Sequence, residues 1–159
     1  MRRKDRQVTD KQAIKAIIDK AEVCRISFAA DNTPYIVTLN FGYEWNDELP
    51  VFYFHCAHEG KKLDLMKRNN LVCLQLDVGH ELEYIEEKVH CTMNFGSIIA
   101  MGKLELVTGE SERIKGLDLL MQQAGSPVPK EYPESSLKRT TVLRLAITEL
   151  TAKQKIKVE

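Results

Sequence analysis

The sequence predicts a mainly-β domain of the α+β class, a barrel or sandwich of six or seven short strands with a few peripheral helices. Three observations lead there. Apolar residues alternate with period two in successive runs between Val23 and Ile147, helical spacing is confined to the start, the middle and a stretch near the end, and turn-forming residues separate the runs. With 159 residues, 43% of them hydrophobic, the chain is long enough for one domain with a real core and short for two, so a single domain is expected over 1–159.

Each element has a local cause. Thr9 to Gln12 has the form of a capping box, and Ile14, Ile17, Ile18 and Ala21 follow at helical spacing, so the first element is a short amphipathic helix. Val23 to Phe28 alternates as a strand, "DNTP" turns the chain, and Tyr35 to Tyr43 reads as its hairpin partner. In that partner Tyr35, Val37, Leu39 and Phe41 share one face and Ile36, Thr38 and Asn40 the other, which is either wet or lines a polar pocket. Val51 to Cys56 is a third strand with both faces largely apolar. After Gly60, "KKLDLMKRN" suits a short helix ending near Asn69 and Asn70, and a fourth strand spans Leu71 to Val78. The acidic "GHELEYIEEK" is expected to be a loop. Val89 to Asn94 and Ser97 to Val107 read as two further strands, with Gly102 as a bulge. Glu110 to Ala124 is helical, with Ile114, Leu117, Leu120 and Met121 on one stripe; "SPVPKEYPESS" is a surface connection; Thr140 to Ile147 is the last strand.

Composition narrows the function. Lys and Arg balance Asp and Glu at 23 each, so there is no global positive field for a nucleic-acid backbone and any anion site must be local. The basic "RRKDR" near the start reads as a solvated end. No apolar run approaches the roughly 20 residues of a membrane span, and no signal-peptide pattern is seen, so a cytoplasmic protein with no membrane partner is expected. Cys24, Cys56, Cys73 and Cys91 lie far apart within strand-like runs and read as buried, reduced thiols. A zinc site from Cys56, His58, His90 and Cys91 matches no common ligand spacing, and no metal is expected.

Two constellations could carry chemistry. In "HEGKKLDL", a glycine at a helix start offers free backbone N–H groups and the positive end of the helix dipole, and Lys61 and Lys62 add charge there; the alternatives are a phosphate seat or a solvated turn. It is not a nucleotide-binding P-loop. Thr38, Asn40, His55 and Ser97 interrupt apolar strand patterns, and each must either face water or find a partner, for which a ligand is one source. No paired-carboxylate site and no G-x-S-x-G serine are present.

Four ordered blocks, "PYIVTLNFGYE", "FYFHCAHEGKKLDLM", "VCLQLD" and "CTMNFGSIIAMGKLELV", with the opening "MRRKDRQVTD", resemble the nitroimidazole-resistance branch of the pyridoxamine 5′-phosphate oxidase-like flavoproteins. The resemblance implies an FMN-binding split β-barrel that forms a homodimer with flavin in clefts at the subunit interface. It implies that Lys62, with Lys61 beside it, holds the FMN phosphate, that Ser97 is a second phosphate contact, and that Val37, Thr38, Leu39 and Asn40 lie along the flavin ring edge. It places His55 near the flavin and a small-molecule pocket, orienting or protonating a bound acceptor. Phe95 and Gly96 stand where several members carry a basic or tyrosyl residue. The implied activity is FMN-dependent reduction of a nitro-aromatic or similar small electron acceptor. FAD is an alternative flavin. A flavin- or haem-binding carrier or sensor without turnover is the competing reading, with His55, His58, His80 or His90 as an axial ligand. Oxidation of pyridoxamine phosphate itself is disfavoured, since the Arg-x-His block of true oxidases is missing from the C-terminal "TAKQKIKVE".

Overall fold

The computed structural model describes residues 3–30, 32–86 and 90–155. After a 3-10 turn at Lys4–Arg6, β1 (Gln7–Val8) leads into α1 (Lys11–Lys20). The helix is capped by Asp10, whose carboxylate accepts from the Ala13 N–H, one residue later than the expected Thr9 cap. Asp10 outcompetes the threonine because its charged acceptor also meets the positive end of the helix dipole. Ile14, Ile17 and Ile18 then turn one face into the core.

The remaining elements are β2 (Cys24–Ala30), β3 (Thr33–Leu39), β4 (Gly42–Glu44), β5 (Val51–Cys56), α2 (Lys61–Arg68), β6 (Leu71–Ile85), β7 (His90–Leu106), α3 (Glu110–Gln123), α4 (Glu134–Leu137) and β8 (Thr141–Lys155). They form one antiparallel sheet in the order β3-β2-β6-β7-β8-β5-β4, with β1 added to β8. The expected mainly-β α+β architecture is what is seen, with a sheet that is not closed by hydrogen bonds, as in a split barrel.

Four expectations need correction. The strand expected over Tyr35 to Tyr43 is two strands on opposite edges of the sheet: β3 pairs with β2, whereas β4 pairs with β5. The chain breaks pairing at Asn40 and Phe41, and Phe41, 1% exposed, plugs the interior between the two edges. As far as Ile85 the acidic stretch after Val78 is strand and not loop, β6 continuing past an irregularity between Val78 and Glu81, while Glu87 and Lys88 lie outside the described residues. The partner of β6 is a single β7 where two strands were expected. The charges of Glu81 and Glu83 are tolerated for two reasons: Glu81 is exposed to water, and the largely covered Glu83 pairs with Lys155 at 3.2 Å. Of the cysteines, all four are free and Cys24 is buried, but Cys91 is exposed on β7.

Period two decides the core. Ile26, Phe28, Phe52, Phe54, Val72, Leu74, Leu76, Ile98, Ala100, Leu104, Leu143 and Leu145 point inward and, with the α1 isoleucines and Leu63, Leu65 and Met66 of α2, make one cluster. The opposite face of β5 is covered by α3, where Tyr53, Val107 and Val142 form a smaller cluster. Two glycines permit that contact. A Cβ at Gly42 would lie 2.3 Å from the Leu119 carbonyl carbon, and one at Gly116 would lie 2.9 Å from the Tyr53 ring. Strand and helix backbones therefore approach more closely than any side chain allows. Gly42→Ala is expected to destabilise the fold by about 3 kcal/mol through overpacking, as read by urea unfolding; a loss below about 1 kcal/mol would show that α3 yields.

Candidate functional site

The break at Asn40 opens a cleft. Asn40 and His55 stand at its sheet side, since Gly42 pairs with Tyr53 and the chain just before it runs level with His55. Along β5 the side chains of Val51, Tyr53 and His55 share one face; α3 covers the first two, and His55 is exposed beyond it. Leu117, Leu120, Met121 and Ala124 of α3 supply the apolar wall, three of them from the stripe expected from helical spacing. The opposite wall comes from the proline-rich connection, α4 and the turn into β8, through Tyr132, Ser136, Leu137 and Thr140. The enclosed volume is about 420 Å³.

That second wall is not legible as a site in the sequence, where the segment reads as a surface connection. It is fastened by side chains distant in sequence. Arg113 donates to the carbonyls of Leu137 at 2.7 Å and Thr140 at 3.0 Å. The Tyr132 hydroxyl donates to Asp118 at 2.9 Å, and burial together with that carboxylate pushes the phenol up to about 12. His58 bonds the Thr141 hydroxyl at 2.7 Å through Nδ1 and the Lys138 carbonyl through Nε2. Beneath α3, Tyr53 donates to Glu44 at 3.0 Å, Lys115 pairs with Glu44 at 2.7 Å, and burial followed by the Glu44 charge raises the Tyr53 phenol.

The two lysines lie at the start of α2. Gly60 has φ +140°, no side chain caps the helix, and a Cβ placed at Gly60 would meet nothing within 4 Å. The first backbone N–H groups of the helix thus have no side-chain acceptor at the cap. Lys61 places its ammonium 4.4 Å from the Tyr35 ring centroid. Lys62 is half-buried and has no carboxylate partner among the described residues. Burial pushes the neighbouring Cys56 thiol up, and the Lys62 charge partly offsets this. A half-buried cation without a counter-ion, at an uncapped helix start, fits an anion such as a phosphate.

Val37, Thr38 and Leu39 lie on β3, which has no partner on its outer edge among the described residues. Val37 and Leu39 pack on the core, and Thr38 faces out. Their free edge offers backbone donors and acceptors to a planar ligand. Asn40 donates to the Glu22 carbonyl at 3.3 Å.

Ser97 stands apart. It pairs with Asp77 on one side and Lys153 on the other, and lines a separate hollow with Ile99, Thr151 and Lys153. Tyr35, under Lys61, is level with Phe28, Val72 and Gly102, roughly 17 Å along β7 from Ser97 at a strand rise of about 3.3 Å per residue. Cys56, beside Lys62, pairs with Thr141 at the far end of β8 from Lys153. Within one chain, Ser97 and the lysines therefore do not reach a common phosphate. Of the other histidines, His80 pairs with Asp77 at 2.9 Å, and the side chain of His90 lies outside the described residues. No group of three or more metal-ligating side chains occurs among the described residues, and no described helix is long and apolar enough to cross a membrane.

The pyridoxamine 5′-phosphate oxidase family profile matches residues 10–154. The fold is similar to the crystal structure of a candidate 5-nitroimidazole antibiotic resistance protein from Bacteroides thetaiotaomicron, with TM-score 0.81 and 30% identity, covering 92% of this chain and 85% of that one. It is also similar to the flavocytochrome Anf3 from Azotobacter vinelandii (TM-score 0.78, 18% identity, 99% and 72% covered). An FAD- and haem-binding protein from Mycobacterium smegmatis is a third (TM-score 0.79, 16% identity, 96% and 74% covered). These last two likenesses bear on the fold alone. No curated protein matches the chain.

Proposed function

Because this chain belongs to the pyridoxamine 5′-phosphate oxidase family, we propose that it binds FMN and reduces a small nitro-aromatic or similar acceptor. The observation that carries this reading is the position of Asn40. It ends the free strand edge of residues 37–39, suited to a planar ring, and it also lines the cleft that holds His55. A ring laid on that edge borders the cleft. Lys61 and Lys62 at the start of α2 would take the phosphate, the half-buried Lys62 gaining the counter-charge it lacks.

When bound, the flavin supplies the electrons. Conversion of a nitro group to a nitroso group takes two electrons and two protons and releases water. His55, exposed at the cleft, delivers a proton as negative charge builds on the acceptor oxygen. The apolar wall of α3 keeps bulk water from that oxygen, which strengthens the hydrogen bond.

A homodimer is part of the proposal. Ser97 and the lysines address one phosphate only if they come from two copies. The outer sheet face supports this, since Leu71 on β6 and Ile99 and Met101 on the adjacent β7 are 52%, 51% and 43% exposed on one side of the sheet. Apolar side chains presented together in that way suit an isologous contact.

Purified protein should show flavin absorption bands and no Soret band. Lys62→Ala should lose most of its flavin on dialysis while melting like the parent; unchanged flavin content would reject the phosphate assignment. His55→Ala should keep its flavin and reduce nitro compounds roughly 100-fold more slowly, and equal rates would remove His55 from the chemistry. Ile99→Glu should sediment as a monomer and release flavin. A flavin-loaded dimer of that variant would place the interface elsewhere.

A further inference from the structure

We propose that the cleft at His55 selects by charge, taking an uncharged planar aromatic molecule and rejecting the same ring bearing a carboxylate or phosphate. This rests on the reading of His55 as facing the acceptor and adds what that acceptor must be. The walls are apolar where α3 and Leu137 meet the cavity, and the polar groups are the Asn40 amide, the Ser136 and Thr140 hydroxyls and the exposed His55 imidazole. No Asp, Glu, Lys or Arg is among the lining residues.

Three charged groups beside the cleft are engaged outside it. The Arg113 guanidinium is held by the carbonyls of Leu137 and Thr140, Asp118 accepts from Tyr132, and Lys138 pairs with Glu134 at 2.7 Å. An anionic ligand would give up its hydration and find no Lys or Arg in the lining, only the exposed His55 imidazole, where water screens any charge it carries, whereas a neutral ring loses little and gains apolar contact. These same bonds fix the outer wall, so the selection is built into the fold. The cavity of about 420 Å³ accommodates a single substituted ring. Phosphate binding and acceptor binding are thereby separated: two lysines stand at the start of α2, and no Lys or Arg lines the cleft.

Nitrobenzene and 4-nitrobenzoate differ only in a carboxylate and make a matched pair of probes. Calorimetry or ligand-detected NMR on the protein as purified should show nitrobenzene binding, and 4-nitrobenzoate at least about tenfold more weakly. Leu137→Arg, which introduces a cation into the wall, should narrow or invert that ratio. Met121→Trp should abolish nitrobenzene binding by filling the cavity, and the milder Met121→Phe should weaken it in a chain whose melting temperature is unchanged. Equal affinity for the two probes would overturn the proposal, as would nitrobenzene binding indifferent to both Met121 substitutions. Because binding is read directly, a preparation without flavin bands would defeat the flavin reading and still report the ratio; a flavin-loaded protein with equal affinities would defeat only the charge selection.

Discussion

The structure depends on one crossing of the chain. Between Leu39 and Gly42 the backbone leaves one edge of the sheet and joins the other, with Phe41 driven into the interior at the crossing. Burial of that ring in the core, 5.6 Å from the Phe52 ring of β5, anchors the crossing between two edges that share no ladder of hydrogen bonds. A barrel closed by hydrogen bonds would have no free edge at β3 and no gap beside His55. The split is therefore a condition for the site. The close seating of α3 on Gly42 fixes one lip of the gap, and the fastened segment before β8 fixes the other.

This crossing brings with it a division of labour along the molecule. The start of α2 carries two lysines at an uncapped helix end, residues 37–39 lie on a sheet edge without a neighbouring strand among the described residues, and the cleft carries apolar and hydrogen-bonding side chains. Each environment suits a different part of a phosphorylated, planar cofactor and its reaction partner. Ser97 lies too far along the sheet to join them within one chain.

Much of this was legible in the sequence, for physical reasons that differ by element. Val51 to Cys56 and the helix after Gly60 were readable because one apolar face and one turn residue decide them locally. His55 and Asn40 stood out as polar residues in apolar strands, and the structure brings those two together. The division of Tyr35–Tyr43 was not readable, because alternation continues unbroken through a change of partner: side-chain periodicity records which face is buried and not against which strand. The acidic extension of β6 was missed because charge usually signals a loop, and only its pairing with β7 makes it a strand. The outer wall of the cleft was hidden in a proline-rich stretch whose fasteners, Arg113, Asp118 and His58, are remote from it in sequence.

The ribbon made by the ends of β6 and β7 has a consequence of another kind. Leu82 pairs with Met93 and Tyr84 with Cys91, so these side chains share one face, and Leu82, Tyr84 and Met93 are all exposed. Two strands without a third beside them, among the described residues from Glu81 to Ile85 and from His90 to Asn94, are marginal in water by themselves. Where a second copy covers that face, the order of the ribbon becomes a function of protein concentration, while the barrel beneath it keeps a stability of its own. One chain then contains two regions that answer differently to dilution.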